Sequence, residues 1–213
     1  MTKSKAVKRR HRLRSPGLTQ PQTEACNKAA VILERRHDSA DALLKAFELA
    51  HEKRGTRRGM TTDDEQDLLR AMLVMAAAGL DSMLKQLIRD AMSALVKVSP
   101  PVREGLEKFV TRSIRGDAES LESLSGSKFL GRVLAAESPQ TQVIEEYIRD
   151  LTGGSLQSAP ELAKTTAALG LSRVKVDVHR FEEVFDIRNK IIHELDINLD
   201  GDDVSGTYVG GRP

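Results

Sequence analysis

The feature that most constrains the fold is a long apolar stripe between residues 62 and 97. Small and aliphatic residues recur here every three or four positions: Leu69, Leu73, Ala76, Leu80, Leu84, Leu87, Ala91 and Leu95. This spacing places them on one side of an α-helix. Thr62 and Glu65 precede the stripe in the spacing of a capping box. The pattern predicts one helix on the order of 50 Å long, since each residue adds about 1.5 Å.

Composition and the remaining patterns favour an all-α fold. Aromatic residues make up only 3% of the chain and Trp is absent, whereas sheets depend on aromatic and β-branched side chains. Helical spacing also covers about 23–51, 139–151, 158–170 and 177–195, and Ser99-Pro100 begins a further helix. We expect loop with a short helical turn over 112–127. The alternation over 174–178 is too short to build a sheet.

Charge divides the chain into three parts. Residues 1–14 hold seven basic side chains and no acid, whereas the remainder is net acidic. We expect a disordered basic arm over 1–18, one helical domain over 19–199 and a Gly- and Asp-rich tail over 200–213. Such an arm is either a solvated tail or a non-specific contact for polyanions. In the second case RNA would be bound by Lys8, Arg9, Arg10, Arg12 and Arg14.

Several classes of site are missing from the sequence. The single cysteine, Cys26, excludes an internal disulfide or thiolate cage. There is no phosphate-binding glycine loop, nucleophile elbow or pair of histidines at metal-ligand spacing, so we expect no cofactor and no metal. The longest apolar run, 71–80, is shorter than a membrane span. We therefore expect a cytoplasmic protein with no membrane partner.

The last predicted helix carries the polar residues of greatest interest. At about 100° per residue, Arg188 falls within the apolar stripe that contains Phe181 and Phe185. Asn189 and His193 lie on its flank, one turn apart. A guanidinium directed at a core is costly unless an anion meets it. Arg188 either extends to solvent or to an acid on another helix, or it lines a polar cleft where a phosphate supplies the anion.

The run Arg188-Asn189-Lys190-Ile191-Ile192-His193 resembles the Arg-polar-x-x-x-His motif of the HEPN superfamily. The long helix is similar to the HEPN helix that carries an acid ahead of an apolar stretch, with Asp81 as the matching acid. The resemblance covers roughly residues 62–200, and the segment 99–170 would be a helical elaboration of the HEPN bundle. Many members are homodimeric, metal-independent endoribonucleases of toxin–antitoxin, phage-defence and RNA-processing systems.

The residues suit the chemistry that the resemblance implies. When the 2′-hydroxyl of RNA attacks its own phosphate, His193 can act as base or acid near neutral pH. Arg188 can bind two phosphate oxygens. Asn189 could orient His193 or bind the sugar-phosphate, and Asp81 could hold Arg188. One histidine per chain leaves a role vacant, so we expect a homodimer whose interface includes the last helix around Arg188.

Three other functions stay open from the sequence. The chain could be a non-catalytic HEPN-like module that binds RNA or a protein, and an antitoxin or sensor protein is a possible partner. It could be a helical DNA-binding regulator that uses the basic arm, although no helix-turn-helix is evident. It could also be a scaffold without a ligand. RNA cleavage in chelator separates the enzyme from the binding module, and binding to duplex DNA would favour the regulator.

Deleting residues 1–14 should weaken RNA binding to a similar degree for all sequences and flatten its salt dependence. The arm has basic side chains to contact phosphates but no aromatic side chains on which bases could stack. Titrating labelled RNAs of different sequence at several salt concentrations measures both effects. Unchanged affinity and an unchanged salt slope would show that the arm is only a solvated tail.

Overall fold

The computed structural model describes Leu13, Gly17 and residues 23–54, 61–116, 126–171 and 179–193. These residues form helices and connecting segments and contain no strand, which confirms the all-α class. The helices are α1 (Glu24–Lys53), α2 (Asp63–Val98), α3 (Pro100–Arg115), α4 (Gly126–Ala135), α5 (Pro139–Thr152), α6 (Ala159–Ala168) and α7 (His179–His193). Three predicted segments lie outside the described residues: the basic arm apart from Leu13 and Gly17, the alternating run 174–178 and the tail 200–213.

Helices α1 and α2 form a long antiparallel hairpin. Helix α1 is continuous through its polar segment 37–39, where the Ser39 hydroxyl donates a hydrogen bond of 2.9 Å to the carbonyl of Arg35. The two helices approach closely at Gly79, where a Cβ atom would lie only 2.6 Å from the Cβ of Arg36. A glycine is therefore required here because any side chain would push α1 away from α2.

A buried carboxylate joins the two helices at the connecting end of the hairpin. The predicted capping box is confirmed: the Glu65 amide donates to the Thr62 hydroxyl at 3.3 Å, and the Thr62 amide donates to the Glu65 carboxylate at 3.0 Å. The same carboxylate, only 2% exposed, lies 3.4 Å from His51 Nδ1 and 3.4 Å from Arg54 Nη1 on the α1 side. Glu65 therefore begins α2 and also holds the end of α1.

The hydrophobic core lies around the second half of α2. Ile88 and Met92 are fully buried there, and helices α1, α3, α5 and α7 all contact α2. Helix α6 contacts α3 and α7. It ends at Ala168, and Gly170, two residues later, has a positive φ of 72°, which glycine adopts readily. A Cβ atom at Gly170 would lie 3.2 Å from side-chain atoms of Ser99 and Val102, so the turn packs closely on the start of α3. The long stripe of α2 thus supplies the surface on which the later helices assemble.

Both described ends of the segment expected to be loop, 112–127, are helical, and residues 117–125 lie outside the described part of the chain. Helix α3 continues to Arg115 and ends at Gly116, and α4 begins at Gly126. Phe129 of α4 packs edge-on against Phe109 of α3, with ring centroids 6.0 Å apart. Burial of this ring stabilises a ten-residue helix whose sequence alone is a weak helix signal.

Tyr147 of α5 completes the same aromatic cluster, with its ring centroid 5.1 Å from that of Phe109. Its hydroxyl lies beside Gly105, where a Cβ atom would come within 2.9 Å of it. Burial, together with the nearby Asp150 carboxylate, raises the pKa of Tyr147 to about 12. Tyr147 is therefore neutral where α5 packs on α3.

One described helix, α2, is long and apolar enough to cross a membrane by length and composition. In its most apolar window, 22% of the residues are buried within the protein. The expectation of no membrane span is based on the apolar run 71–80, and this window is longer than that run. Core helices of globular proteins meet the same criterion, and the second half of α2 forms the core here.

Replacing Glu65 with alanine should destabilise the protein by about 3 kcal/mol. The substitution removes the capping box and leaves His51 and Arg54 without their shared buried carboxylate. Chemical denaturation followed by circular dichroism measures the change. Asp64→Ala is the matched control, since this acid in the same first turn is exposed and should cost only a few tenths of a kcal/mol. Equal losses for the two variants would show that the buried cluster contributes nothing.

Candidate nucleic-acid site on the last helix

Two aromatic side chains attach the first half of α7 to the core. Phe185 is only 2% exposed, and its ring stacks on that of Phe181 at a centroid distance of 6.0 Å. Both residues belong to or pack against the core cluster, and α7 contacts α2 and α6. These rings determine which side of α7 faces the protein, and therefore where the polar residues that follow them lie.

Arg188 lies one turn after Phe185 and is half-buried. Its Nη1 atom donates a hydrogen bond of 2.8 Å to the side-chain oxygen of Asn189, and its Nε atom is buried without a hydrogen-bond partner. Within the described part of the chain, no carboxylate forms an ion pair with it. Among the described residues the guanidinium thus has only a neutral hydrogen-bond partner, and a half-buried cation of this kind is stabilised when an anion binds to its remaining accessible N–H groups.

Asn189 is therefore bound to Arg188. Its carbonyl oxygen accepts from the guanidinium, which leaves the amide group as the donor that can face a ligand. A pair of this kind holds the arginine side chain in one orientation. The structure brings together two of the three predicted catalytic residues, Arg188 and Asn189.

His193 is the last residue of α7, one helical turn beyond Asn189. On a regular helix this places its Cα about 6 Å further along the same flank. The side chain of His193 lies outside the described residues, so its predicted part in proton transfer stays a prediction. The helix backbone extends to this position without a break.

Asp81 has partners other than Arg188. One carboxylate oxygen accepts a hydrogen bond of 2.7 Å from the amide of Leu156, and the other lies 3.0 Å from the ammonium group of Lys85. The hydrogen bond from Leu156 ties the segment between α5 and α6 to the middle of α2, whereas the pair with Lys85 lies within α2 itself. No described contact joins Asp81 to Arg188. The expectation that Asp81 holds Arg188 in place therefore stays a prediction.

The predicted RNA-binding residues of the arm, Lys8, Arg9, Arg10, Arg12 and Arg14, lie outside the described residues. Leu13, in the same segment, donates a backbone hydrogen bond of 3.3 Å to Asp41 of α1. The hydrogen bond from Lys45, aided by the Leu13 amide, lowers the pKa of the Asp41 carboxyl. The chain at Leu13 thus lies beside the middle of α1.

The second half of α7 has an apolar surface that the sequence reasoning missed. Ile187 is 44% exposed and Ile192 is 40% exposed. Ile192 lies on the same helical stripe as Phe181 and Phe185, which the protein covers. The stripe therefore continues past the point where the core ends. The isoleucines on both sides of Arg188 are visible in the sequence, but only the structure shows that they are uncovered.

No known protein family, curated protein or solved structure matches this chain. Within the described residues, no three His, Cys, Asp or Glu side chains form a group that could hold a metal ion. On α7, the half-buried guanidinium of Arg188 is thus hydrogen-bonded to the Asn189 side chain, and the exposed apolar residue Ile192 lies one turn further along the helix. Such a site can bind an anionic group at the edge of an interface.

Replacing Arg188 with methionine should raise the free energy of unfolding by about 1 kcal/mol. The substitution keeps most of the aliphatic side chain but removes a half-buried charge that has no described acidic partner. Thermal and chemical denaturation measure the change. Lys190→Met is the matched control, because this basic residue on the same helix is exposed and should shift stability very little. A loss of stability in Arg188→Met would mean that the guanidinium already has a stabilising partner.

Proposed function

We propose that this chain is a metal-independent endoribonuclease of the HEPN type that acts as a homodimer. The observation that carries the proposal is the half-buried Arg188 of α7, whose Nε is buried without a partner and whose Nη1 holds Asn189. The motif that contains them, the all-α class and the long second helix support the same assignment. The toxin or phage-defence class, with an antitoxin or sensor as regulator, is part of this proposal.

The proposed reaction is cleavage of RNA by its own 2′-hydroxyl. His193 of one chain takes the 2′-hydroxyl proton while the 2′-oxygen attacks the adjacent phosphorus. Arg188 donates hydrogen bonds to the non-bridging oxygens and stabilises the charge that develops on them. The bond from phosphorus to the 5′-oxygen breaks, and a protonated His193 from the second chain gives that oxygen its proton. The products are a 2′,3′-cyclic phosphate and a 5′-hydroxyl.

The exposed apolar residues of α7 favour a homodimer, in which a second chain would cover them. Ile187 and Ile192 are exposed beside the motif, and one histidine per chain leaves either the acid or the base to come from elsewhere. If two copies of α7 meet along this stripe, both sets of motif residues lie near one axis. An RNA strand in the cleft between them would contact a guanidinium from each chain.

His193→Ala should reduce RNA cleavage roughly 100-fold or more, since it removes the proton-transfer group. Arg188→Ala should abolish cleavage, and Lys190→Ala, an exposed basic residue within the same motif, should retain it. Cleavage of a labelled RNA in EDTA, with analysis of the product ends, measures all three. The thermal midpoint of His193→Ala should move little, because alanine favours a helix at least as well as histidine does.

Two results would contradict this assignment. Equal cleavage by wild type and His193→Ala would show that the site is elsewhere. A requirement for a divalent metal would show that the mechanism is wrong, even if the residues are correct. Tight RNA binding by wild type without any cleavage would support the non-catalytic HEPN-like module instead.

A further inference from the structure

Helix α1 carries a row of acidic side chains on the side that faces away from α2. At about 100° per residue, these acids fall within about 80° of the helix circumference. Arg36, whose Cβ faces Gly79 of α2, lies on the opposite side of α1. We name this row the acidic stripe, and its members are Glu34, Asp38, Asp41, Glu48 and Glu52.

The acidic stripe has an excess of negative charge. Lys45 lies in the same row and pairs with Asp41 at 2.6 Å, whereas His37, at the edge of the row, is counted as neutral. Arg35 and Lys53 lie about 100° round the helix from the middle of the row. Five carboxylates and one lysine leave four negative charges along the stripe. This surface therefore suits a segment that carries several positive charges.

A described residue of the basic arm lies on the acidic stripe. The Leu13 amide donates a hydrogen bond of 3.3 Å to one carboxylate oxygen of Asp41, and the other oxygen pairs with Lys45. Leu13 is half-buried. Only 15% of the Asp41 side chain is exposed, compared with 84% for Asp38 in the same row. Leu13 and Lys45 thus contribute to the cover of the middle of the stripe.

The direction of the chain at Leu13 follows from where α1 begins. Helix α1 begins at Glu24, and Asp41 lies about 25 Å further along the helix axis. Ten residues separate Leu13 from Glu24, and an extended chain advances about 3.3 Å per residue. The chain therefore has to travel along α1 for most of its available length. Residues that precede Leu13 are directed towards the second half of α1.

The basic residues of the arm have the spacing that this direction requires. On an extended chain, Arg10 and Lys8 reach about 10 Å and about 17 Å beyond Leu13. On the helix, Glu48 and Glu52 lie about 10 Å and about 17 Å beyond the residue that Leu13 contacts. Opposite charges therefore match in both sign and position.

We propose that the basic arm, residues 3–14, binds the acidic stripe of its own chain and that a polyanion displaces it. Exposed ion pairs are individually weak and are screened by salt, so this contact is reversible. A polyanion competes for the same lysines and arginines. The acidic stripe thus controls how much of the arm is available to a nucleic acid. The contact does not rest on the proposed ribonuclease function, since no residue of α7 takes part.

Cross-linking measures where the arm lies. In a Cys26→Ser background, a bifunctional thiol reagent should join Val7→Cys to Leu49→Cys within one chain roughly tenfold faster than to Val31→Cys, because several weak ion pairs act together. The two positions on α1 are matched: both side chains are exposed, lie on the same side of the helix and flank Asp41 at similar distances. An arm without a binding site would reach both.

Removing charge from the stripe should abolish this preference. Glu48→Gln combined with Glu52→Gln keeps the size of both side chains and removes two of the carboxylates that face the arm. Asp63→Asn combined with Asp64→Asn is the matched control, because it removes two exposed carboxylates of α2 that lie outside the stripe. The control should keep the preference for Leu49→Cys at low salt and lose it in about 0.5 M NaCl, where charges are screened.

Heparin, used as a polyanion without a base sequence, tests the competition. The double glutamine variant should bind heparin roughly threefold or more tighter than the double asparagine control, since the arm no longer has to leave the stripe first. Deleting residues 1–14 from both variants should remove the difference. Fluorescence titration at low salt measures all four affinities.

Three results would overturn the proposal. The first is equal cross-linking of Val7→Cys to Leu49→Cys and Val31→Cys. The second is a preference for Leu49→Cys that survives the double glutamine substitution. The third is cross-linking between two chains instead of within one, which would show that the arm binds a second copy. Absence of RNA cleavage together with a clear preference for Leu49→Cys would contradict only the ribonuclease proposal.

Discussion

Helix α2 is the element on which the other described helices depend. It contacts α1, α3, α5 and α7, and its buried residues Ile88 and Met92 lie at the centre of the core cluster. Because the apolar stripe continues for the whole 36-residue helix, α2 needs more cover than the later helices supply. The hairpin with α1 covers part of the remainder. This imbalance between the length of α2 and the size of the core leaves the part of α2 before Leu80 outside the core cluster of the described residues.

The buried charges of this protein differ in how they are compensated. Glu65 has His51 and Arg54 within ion-pair distance, and Glu146 lies 2.7 Å from Arg149. Arg188 has only the neutral amide oxygen of Asn189. Since a half-buried charge without a counter-charge costs stability, its presence favours a role in binding over a role in folding. This contrast is the physical reason for placing the candidate site on α7.

Prediction from the sequence succeeds where local signals are strong. The capping box of Thr62 and Glu65, the Pro starts at Pro100 and Pro139, and the continuous stripe of α2 all lie where they are expected. No element is predicted from the sequence for 128–135, which forms most of α4, a helix of ten residues that contains two glycines. The position of Arg188 within an apolar stripe was also visible, since it follows from helical geometry alone.

The sequence by itself determined the all-α class, the long second helix and the motif residues of the last helix, since spacing and capping act within one element. Tertiary structure decided the partners of the charged groups. Asp81 accepts a hydrogen bond from the amide of Leu156, which joins α2 to the segment between α5 and α6, and Arg188 has no described acid beside it. It also decided which apolar faces stay uncovered, because burial depends on which helices meet, and a helical stripe in the sequence does not say what packs on it.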